Sequence, residues 1–292
     1  MSITTTATAA SALPPLPVKV YDAFIYNGEP IAKFRLQLLA PFVDEFIVTE
    51  SWYTHAGEKK PFLWIERNRD VFEPYLHKIH FQRIDEFPPM PVDWPHRARY
   101  PNPQDWWREN YQRDVARERL DALLPAGPFV LICTDADEIV RPAIARDLRA
   151  MYSQLTAGPA FLDMQLFYYN FRWIKRTSWT HGFLVTDQTY RRDTLSNFRV
   201  GHPRRLVVPG AGWHCSFFLS GADLQRKIRS FSHQEFNKSQ FTNAGHLQQC
   251  LSTGKDLFAR GPQEDLIEFN GEGLPDGWQA VQAEVVASQQ IV

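Results

Sequence analysis

The 292-residue chain is poor in cysteine, in any surplus of one charge, and in long apolar runs. Its three cysteines, Cys133, Cys215 and Cys250, are odd in number and far apart. They give neither a disulfide framework nor the paired spacing of a zinc site, and point to a reducing, cytoplasmic setting. Lysine and arginine number 32 against 33 aspartates and glutamates, a net charge of -1. A dedicated nucleic-acid binder carries a strong basic excess, so no nucleic-acid partner is expected. The run Phe129-Val-Leu-Ile-Cys133 is typical of the apolar stretches, far below the roughly 18–20 residues of a membrane-spanning helix. There is no heptad run for a coiled coil. Residues 1–17 hold no charged side chain; without the basic start of a signal peptide or the arginines of a transit peptide, they read as a flexible tail.

Aromatic residues are abundant: 21 Phe, 10 Tyr and 9 Trp. That much apolar surface rules out a disordered chain, and the length supports one large domain. The first half alternates strand and helix signals. Val18–Tyr26 is β-rich, and Ile31, Phe34, Leu38 and Leu39 then recur at helical spacing after Pro30. Phe46–Thr49 reads as a strand, and Pro61–Ile65, a helix near Arg67–His77, and Lys78–Phe81 continue the alternation. Six prolines between 88 and 103 enforce an irregular loop. A helix over Gln104–Leu124 and a buried strand over Pro128–Thr134 follow. This is an α/β class with a mostly parallel central sheet flanked by helices. Additional, antiparallel strands are expected in the second half at Ala160–Tyr169 and Phe183–Tyr190, with further strand candidates at Arg204–Val208 and Trp213–Leu219. Helices are expected over Arg141–Met151, Ala222–Ser232 and Gln240–Thr253. No linker divides the chain, so 18–292 reads as a single domain.

The most informative segment joins that buried strand to Asp135-Ala-Asp-Glu138. Ligands of open α/β sheets bind beyond the carboxyl ends of the strands. Clustered carboxylates repel unless a cation neutralises them, and hard oxygen donors suit Mg²⁺ or Mn²⁺ bridging to a diphosphate. The plain alternative is an acidic cap on the helix that follows. A dehalogenase-type phosphatase would continue Asp-x-Asp with Gly-Thr or Gly-Ser, whereas Glu138-Ile139 follows here. His214, between Trp213 and Cys215, is a candidate divalent-ion ligand or a hydrogen-bonded core histidine. Cys215 lacks any local mark of an activated thiol.

Several segments together resemble glycosyltransferase family 17: Tyr21–Ile25, Val43–Ser51 with Thr54 and Gly57, Trp107–Arg113, Asp135–Ile139, Ala211–Ser216 and Lys227–Phe236. The resemblance covers roughly residues 20–260, and its specific part is Asp-Ala-Asp-Glu-Ile together with Gly-Trp-His-Cys-Ser. It implies a GT-A-like nucleotide-sugar-binding fold, with a nucleotide-binding half over 18–140, an acceptor-side half over 141–270 and a C-terminal extension over 271–292. It also implies a UDP-sugar donor, most readily UDP-GlcNAc, a divalent metal (Mn²⁺ or Mg²⁺), an inverting transfer and a carbohydrate or glycoconjugate acceptor. Family members that modify N-glycans are membrane-anchored, and no anchor is seen here, so the acceptor need not be an N-glycan.

In that light Asp135, Asp137 and His214 are assigned to metal and diphosphate, with Asp137 the more direct ligand. Glu50, at a strand end, is assigned to the nucleoside; the alternative is a solvated strand-end charge. Glu109 and Arg113, spaced i and i+4, are assigned to donor contact; the alternative is an ordinary surface ion pair. Glu235 is the chosen base, Glu138 its rival, and His233 orients the base or touches phosphate. Flat rings beside polar groups hold sugars by stacking, which draws attention to Trp52, Tyr53, Trp94, Trp106, Trp107 and the donor-side Trp213. Arg191, Arg192, Arg199, Arg204 and Arg205 form a basic segment. It suits an anionic acceptor or peripheral membrane contact, or is simply a solvated face. Two other functions stay open: a nucleotide-sugar hydrolase, and a non-catalytic carbohydrate-binding protein.

Overall fold

The computed structural model describes residues 17–123 and 127–289. The expected N-terminal tail lies outside these residues apart from Pro17. Four strands lie parallel in the order β3-β2-β1-β4: β1 (Lys19–Ile25), β2 (Glu45–Ser51), β3 (Ile79–Ile84) and β4 (Phe129–Cys133). β4 is buried along its whole length and β1 and β2 nearly so, as in a parallel sheet covered on both faces. Three helices cover this part: α1 (Ala32–Leu39), α2 (Pro103–Leu123) and α3 (Pro142–Met151). Alternate residues of β1 face opposite sides. Val20 and Phe24 join Leu36 and Leu39 of α1 and Leu148 of α3 in one core cluster. Tyr21 and Ala23 join Ala116 and Leu120 of α2 in another.

The second half supplies β5 (Glu138–Val140), β6 (Ala160–Tyr168), β7 (Trp173–Ile174), β8 (Phe183–Thr186), β9 (Leu206–Ser216) and β10 (Ile267–Glu268). β8 lies antiparallel between β4 and β6; β7 and β10 extend the sheet beyond β6; β9 runs parallel to β6 and antiparallel to β5. The ten-stranded sheet is therefore mixed, which corrects the expectation of a mostly parallel one. Parallel neighbours need a long crossover, usually helical. The connection from β6 to β8 holds no helix, so β8 returns antiparallel. The expected antiparallel relation of Ala160–Tyr169 and Phe183–Tyr190 is observed between β6 and β8 at Ala160–Phe161, although β8 ends at Thr186 and Asp187–Tyr190 forms a turn.

Two other expectations change. Arg204–Val208 and Trp213–Leu219 are not separate strands; β9 runs continuously through Pro209-Gly210, and its register against β6 shifts between Leu162 and Met164. Proline and a positive-φ Gly210 mark a bulge here rather than a turn. Pro61–Ile65 forms no strand; it leads into a helical turn over Trp64–Arg67. The remaining helices of seven residues or more are α4 (Leu195–Gly201), α5 (Gly221–Ser230), α6 (Ala244–Thr253) and α7 (Trp278–Ser288). Of these α4 and α7 were not anticipated. No described helix is long and apolar enough to cross a membrane.

Candidate functional site

A cleft of about 490 Å³ opens at the carboxyl ends of the parallel strands. Ile25 enters it at the end of β1 with Tyr26 and Asn27 just beyond, Tyr53, Thr54 and His55 after β2, and Asp135, Ala136 and Asp137 after β4. This is the edge where an open α/β sheet takes its ligands. β9 adds His214 and Ser216, α5 adds Lys227, and the chain beyond α5 adds Ser232, His233 and Phe236.

The acidic turn is met by basic side chains from three helices. Asp135 Oδ1 accepts from Arg113 of α2 at 2.7 Å, and its Oδ2 accepts from Arg199 of α4 at 2.6 Å. Burial pushes the Asp135 carboxyl up, but Arg199 and Arg113 outweigh it and hold the group well below the usual carboxylate range. Glu138, fully buried, accepts two hydrogen bonds from Arg199 at 2.6 and 3.0 Å and one from the Trp179 indole at 2.5 Å. Burial raises its pKa and Arg199 more than offsets this, leaving it lowered. Asp137 receives Lys227 Nζ at 2.9 Å and stands 3.6 Å from His214 Nε2. Burial opposes the charge on Lys227, and Asp137 restores it, with a net rise in pKa. Glu109 is hydrogen-bonded by the Ser232 hydroxyl and by Arg113 at 3.3 Å. Burial raises its carboxyl, and Arg113 and His55 bring it below its ordinary value.

Most of the expected site residues share this cleft. Asp135, Asp137, His214, Glu109, Arg113 and His233 all line it. The i, i+4 pair of Glu109 and Arg113 is not a surface ion pair, because Arg113 is only 3 % exposed and bridges Glu109 to Asp135. Neither does the acidic segment cap a helix: Glu138 belongs to β5, and the cap position of α3 is Arg141.

Several placements differ. Asp135 was assigned to a metal, but each of its oxygens already accepts from a guanidinium. Asp137 and His214 are the pair that keeps donors facing each other. Among the described residues no group of three or more His, Cys, Asp or Glu side chains is arranged to hold a metal ion. Glu138 cannot serve as a base from beneath the cleft floor, fully buried and fixed by Arg199 and Trp179. Glu50 does not reach the cleft. Its buried carboxylate pairs with Lys60 and accepts from the amides of Trp64 and Ile65 at 2.8 Å, so it caps a helical turn and positions Lys60, which does line the cleft. Trp213 and His214 are consecutive in β9 and so point to opposite faces. Trp213 sits in a core cluster under the Arg141 guanidinium. Glu235 lies behind His233, with Oε1 2.7 Å from His233 Nδ1.

The basic segment is not one patch. Arg199 is buried in the site, Arg204 donates to the carbonyls of Thr180, His202 and Arg199, and Arg191 pairs with Asp121. The sequence alone gives no site role to Lys227, His55 or Ser232, and gives Arg199 only a place in the basic segment. The signal for Arg199 and Lys227 was present: three adjacent carboxylates require cations, and both lie in segments already singled out.

Of the aromatic candidates, Tyr53 and Trp106 line the cleft. Trp106 stacks on Tyr100 at 4.1 Å and 8° and meets His233 edge to face at 4.6 Å. Its Nε1 is buried and finds no hydrogen-bond partner among the described residues. Phe236 stacks on Phe258 at 4.1 Å and 15°. The cleft thus has a charged wall and an aromatic wall.

His181, its ring tilted by 33° against Trp179 with centroids 4.1 Å apart, lies in the charged wall. Burial and the nearby Arg199 push its pKa down to about 4. The unfolded chain takes up this proton near pH ~6.5, so the contribution of His181 to stability is complete above that value and is lost as pH falls toward about 4. Calorimetry from pH 7 to 4 should show the melting temperature falling, with the upper part of the fall flattened in His181→Asn. An unchanged profile in that variant would remove His181 from this role.

The charged wall at the strand ends and the facing aromatic wall suit a phosphorylated sugar. Comparison with known families gives the same indication: residues 10–268 match the model of glycosyltransferase family 17. The chain belongs to glycosyltransferase family 17. It is similar to proteins named beta-1,4-mannosyl-glycoprotein 4-beta-N-acetylglucosaminyltransferase from Homo sapiens and Rattus norvegicus, each 27% identical over 257 residues. The same-named Mus musculus protein is 26% identical over 257 residues. These alignments cover 76% of this chain and 44% of each relative, so the chain spans less than half the length of the curated relatives it matches. The matched span, residues 10–268, covers the acidic turn, His214 and the 227–236 segment.

Proposed function

We propose that the protein is an inverting glycosyltransferase of GT-A type that moves a sugar, GlcNAc from UDP-GlcNAc first, to a hydroxyl of a glycan or other saccharide. The observation that carries this reading is the acidic turn at the end of β4, set among Arg113, Arg199 and Lys227 in a cleft with an aromatic far wall. The nucleoside belongs near the ends of β1 and β2. The diphosphate belongs beside Lys227 and the guanidinium edges, where fixed positive charge stabilises the leaving group.

Asp137 Oδ1 and His214 Nε2, 3.6 Å apart, fit a hard divalent ion completed by water and phosphate oxygens. Mn²⁺ or Mg²⁺ held there would supply charge to the departing diphosphate. The acceptor oxygen attacks the anomeric carbon opposite the leaving group, and its proton must be taken up. His233 lines the cleft, and Glu235 holds its Nδ1, which leaves Nε2 for the acceptor hydroxyl. The expected order of the pair is thereby reversed: His233 is the base and Glu235 positions it. His233→Gln should lower kcat by about 10²-fold or more, and Glu235→Gln by less, with donor KM nearly unchanged in both. Near-normal turnover of His233→Gln would move the base elsewhere.

The acceptor belongs on the aromatic wall, where a pyranose ring meets the Trp106 ring. The relatives' names make a β-mannosyl glycan the first acceptor to try. Trp106→Ala should raise acceptor KM about tenfold while leaving donor KM unchanged; equal effects on both would contradict the assignment. The reading as a whole is tested by incubating UDP-GlcNAc with a glycan array and analysing products by mass spectrometry. A new glycoside supports transfer, free GlcNAc alone indicates a hydrolase, and an intact donor that still binds indicates a binding protein.

A further inference from the structure

One buried guanidinium lies directly beneath the acidic turn, and neither its charge nor its hydrogen bonds are used by the mechanism above. Arg35, on α1, is fully buried. Its Nε donates to Asp22 Oδ2 at 3.0 Å, and Nη2 donates to the other Asp22 oxygen. Asp22 stands in the middle of β1 on the face that packs against α1. Nη2 also donates to Thr134 Oγ1 at 2.6 Å. Nη1 donates to two main-chain carbonyls, Asp135 O at 2.8 Å and Glu138 O at 2.7 Å. The two carbonyls are the ends of the turn, which closes on itself through Glu138 N to Asp135 O at 2.9 Å.

A neutral partner is enough to satisfy a carbonyl, and a small apolar residue would fill a core at less cost than a buried ion pair. The fork geometry supplies something else. Only a planar group with several fixed donors grips Asp22, Thr134 and both ends of the turn at once, and a lysine ammonium has no such fork. We propose that Arg35 is a positioning residue for catalysis: with Asp22 as its anchor in β1, it fixes the backbone of Asp135–Glu138 and so sets where the Asp135 and Asp137 carboxylates stand. Asp135 and Asp137 then enter the reaction already placed, which lowers the barrier by preorganisation. The effect on turnover rests on the transferase reading; the effect on the turn does not.

The test uses the full chain as wild type, Arg35→Lys and Thr134→Val, the last removing a single hydroxyl acceptor in case the first does not fold. Hydrogen exchange followed by mass spectrometry reads residues 134–139, and UDP release from UDP-GlcNAc reads turnover per folded molecule well below the melting temperature. In Arg35→Lys the 134–139 segment should exchange about tenfold faster while β4 exchanges as in wild type. Its kcat should fall about 10–100-fold, by more than donor KM rises. Thr134→Val should show both changes more weakly. Unchanged exchange at 134–139 in the folded variants, or faster exchange with kcat per folded molecule as in wild type, overturns the proposal, since a purely stabilising arginine would lower the melting temperature alone. A wild type that releases no UDP overturns the transferase reading instead, and leaves the exchange result to decide whether Arg35 holds the turn.

Discussion

Arg199→Met is expected to destabilise the protein by about 3–5 kcal/mol, the usual consequence of removing one partner from a buried ionic group. The substitution preserves much of the side-chain volume but leaves the fully buried Glu138 and one oxygen of Asp135 without their cation. Arg113 still holds Asp135, and the Trp179 indole still holds Glu138, so the loss falls mainly on Glu138. Chemical denaturation measures this directly. Adding Glu138→Gln to Arg199→Met should recover a large part of the loss, because the second change removes the orphaned charge. If Arg199→Met unfolds at the wild-type midpoint, the ionic cluster is not a stabilising unit and its charges are solvated.

Asp137→Asn should reduce UDP release from UDP-GlcNAc by about 10²–10³-fold with the fold intact, a size typical of removing one group that stabilises developing charge. Asn retains the shape and can still accept from Lys227, yet it loses the negative charge that Lys227 and His214 face. The same variant should respond little to Mn²⁺, while wild-type turnover should rise with it. A variant with full activity would detach Asp137 from the chemistry, and full wild-type activity in chelator would detach the ion.

The sequence made the parallel strands legible because a strand buried on both faces must be nearly continuous in apolar residues, as Phe129–Cys133 is. It also made the acidic turn legible, since the end of such a strand is where ligands collect. The antiparallel return of β8 was partly legible, and the bulge in β9 was not, because Pro209-Gly210 carries the local signature of a turn and only pairing with β6 keeps the strand going. Within the site, Asp137 and His214 were brought together as expected. Glu50 and Trp213 were misjudged for a shared reason: their neighbours in sequence do face the cleft, but the direction of one side chain depends on strand phase and on competing partners. Glu50 found Lys60 and two free helix amides. Arg199 and Lys227 were harder to foresee, since they come from 64 and 90 residues away to meet Asp135 and Asp137. Arg35 left no sequence signal at all, because a lone arginine on a short amphipathic helix reads as solvent-facing.

The proposed function requires the cleft at the ends of β1, β2 and β4 to be a nucleotide-sugar site built around Asp137 and Lys227. Isothermal titration of UDP-GlcNAc into wild type and Lys227→Met, with and without Mn²⁺, tests it most directly. The expected result is micromolar binding to wild type, on the order of -8 kcal/mol, strengthened by Mn²⁺ and weakened about tenfold or more in Lys227→Met. Equal binding by the two proteins, or no binding to wild type under either condition, would contradict it.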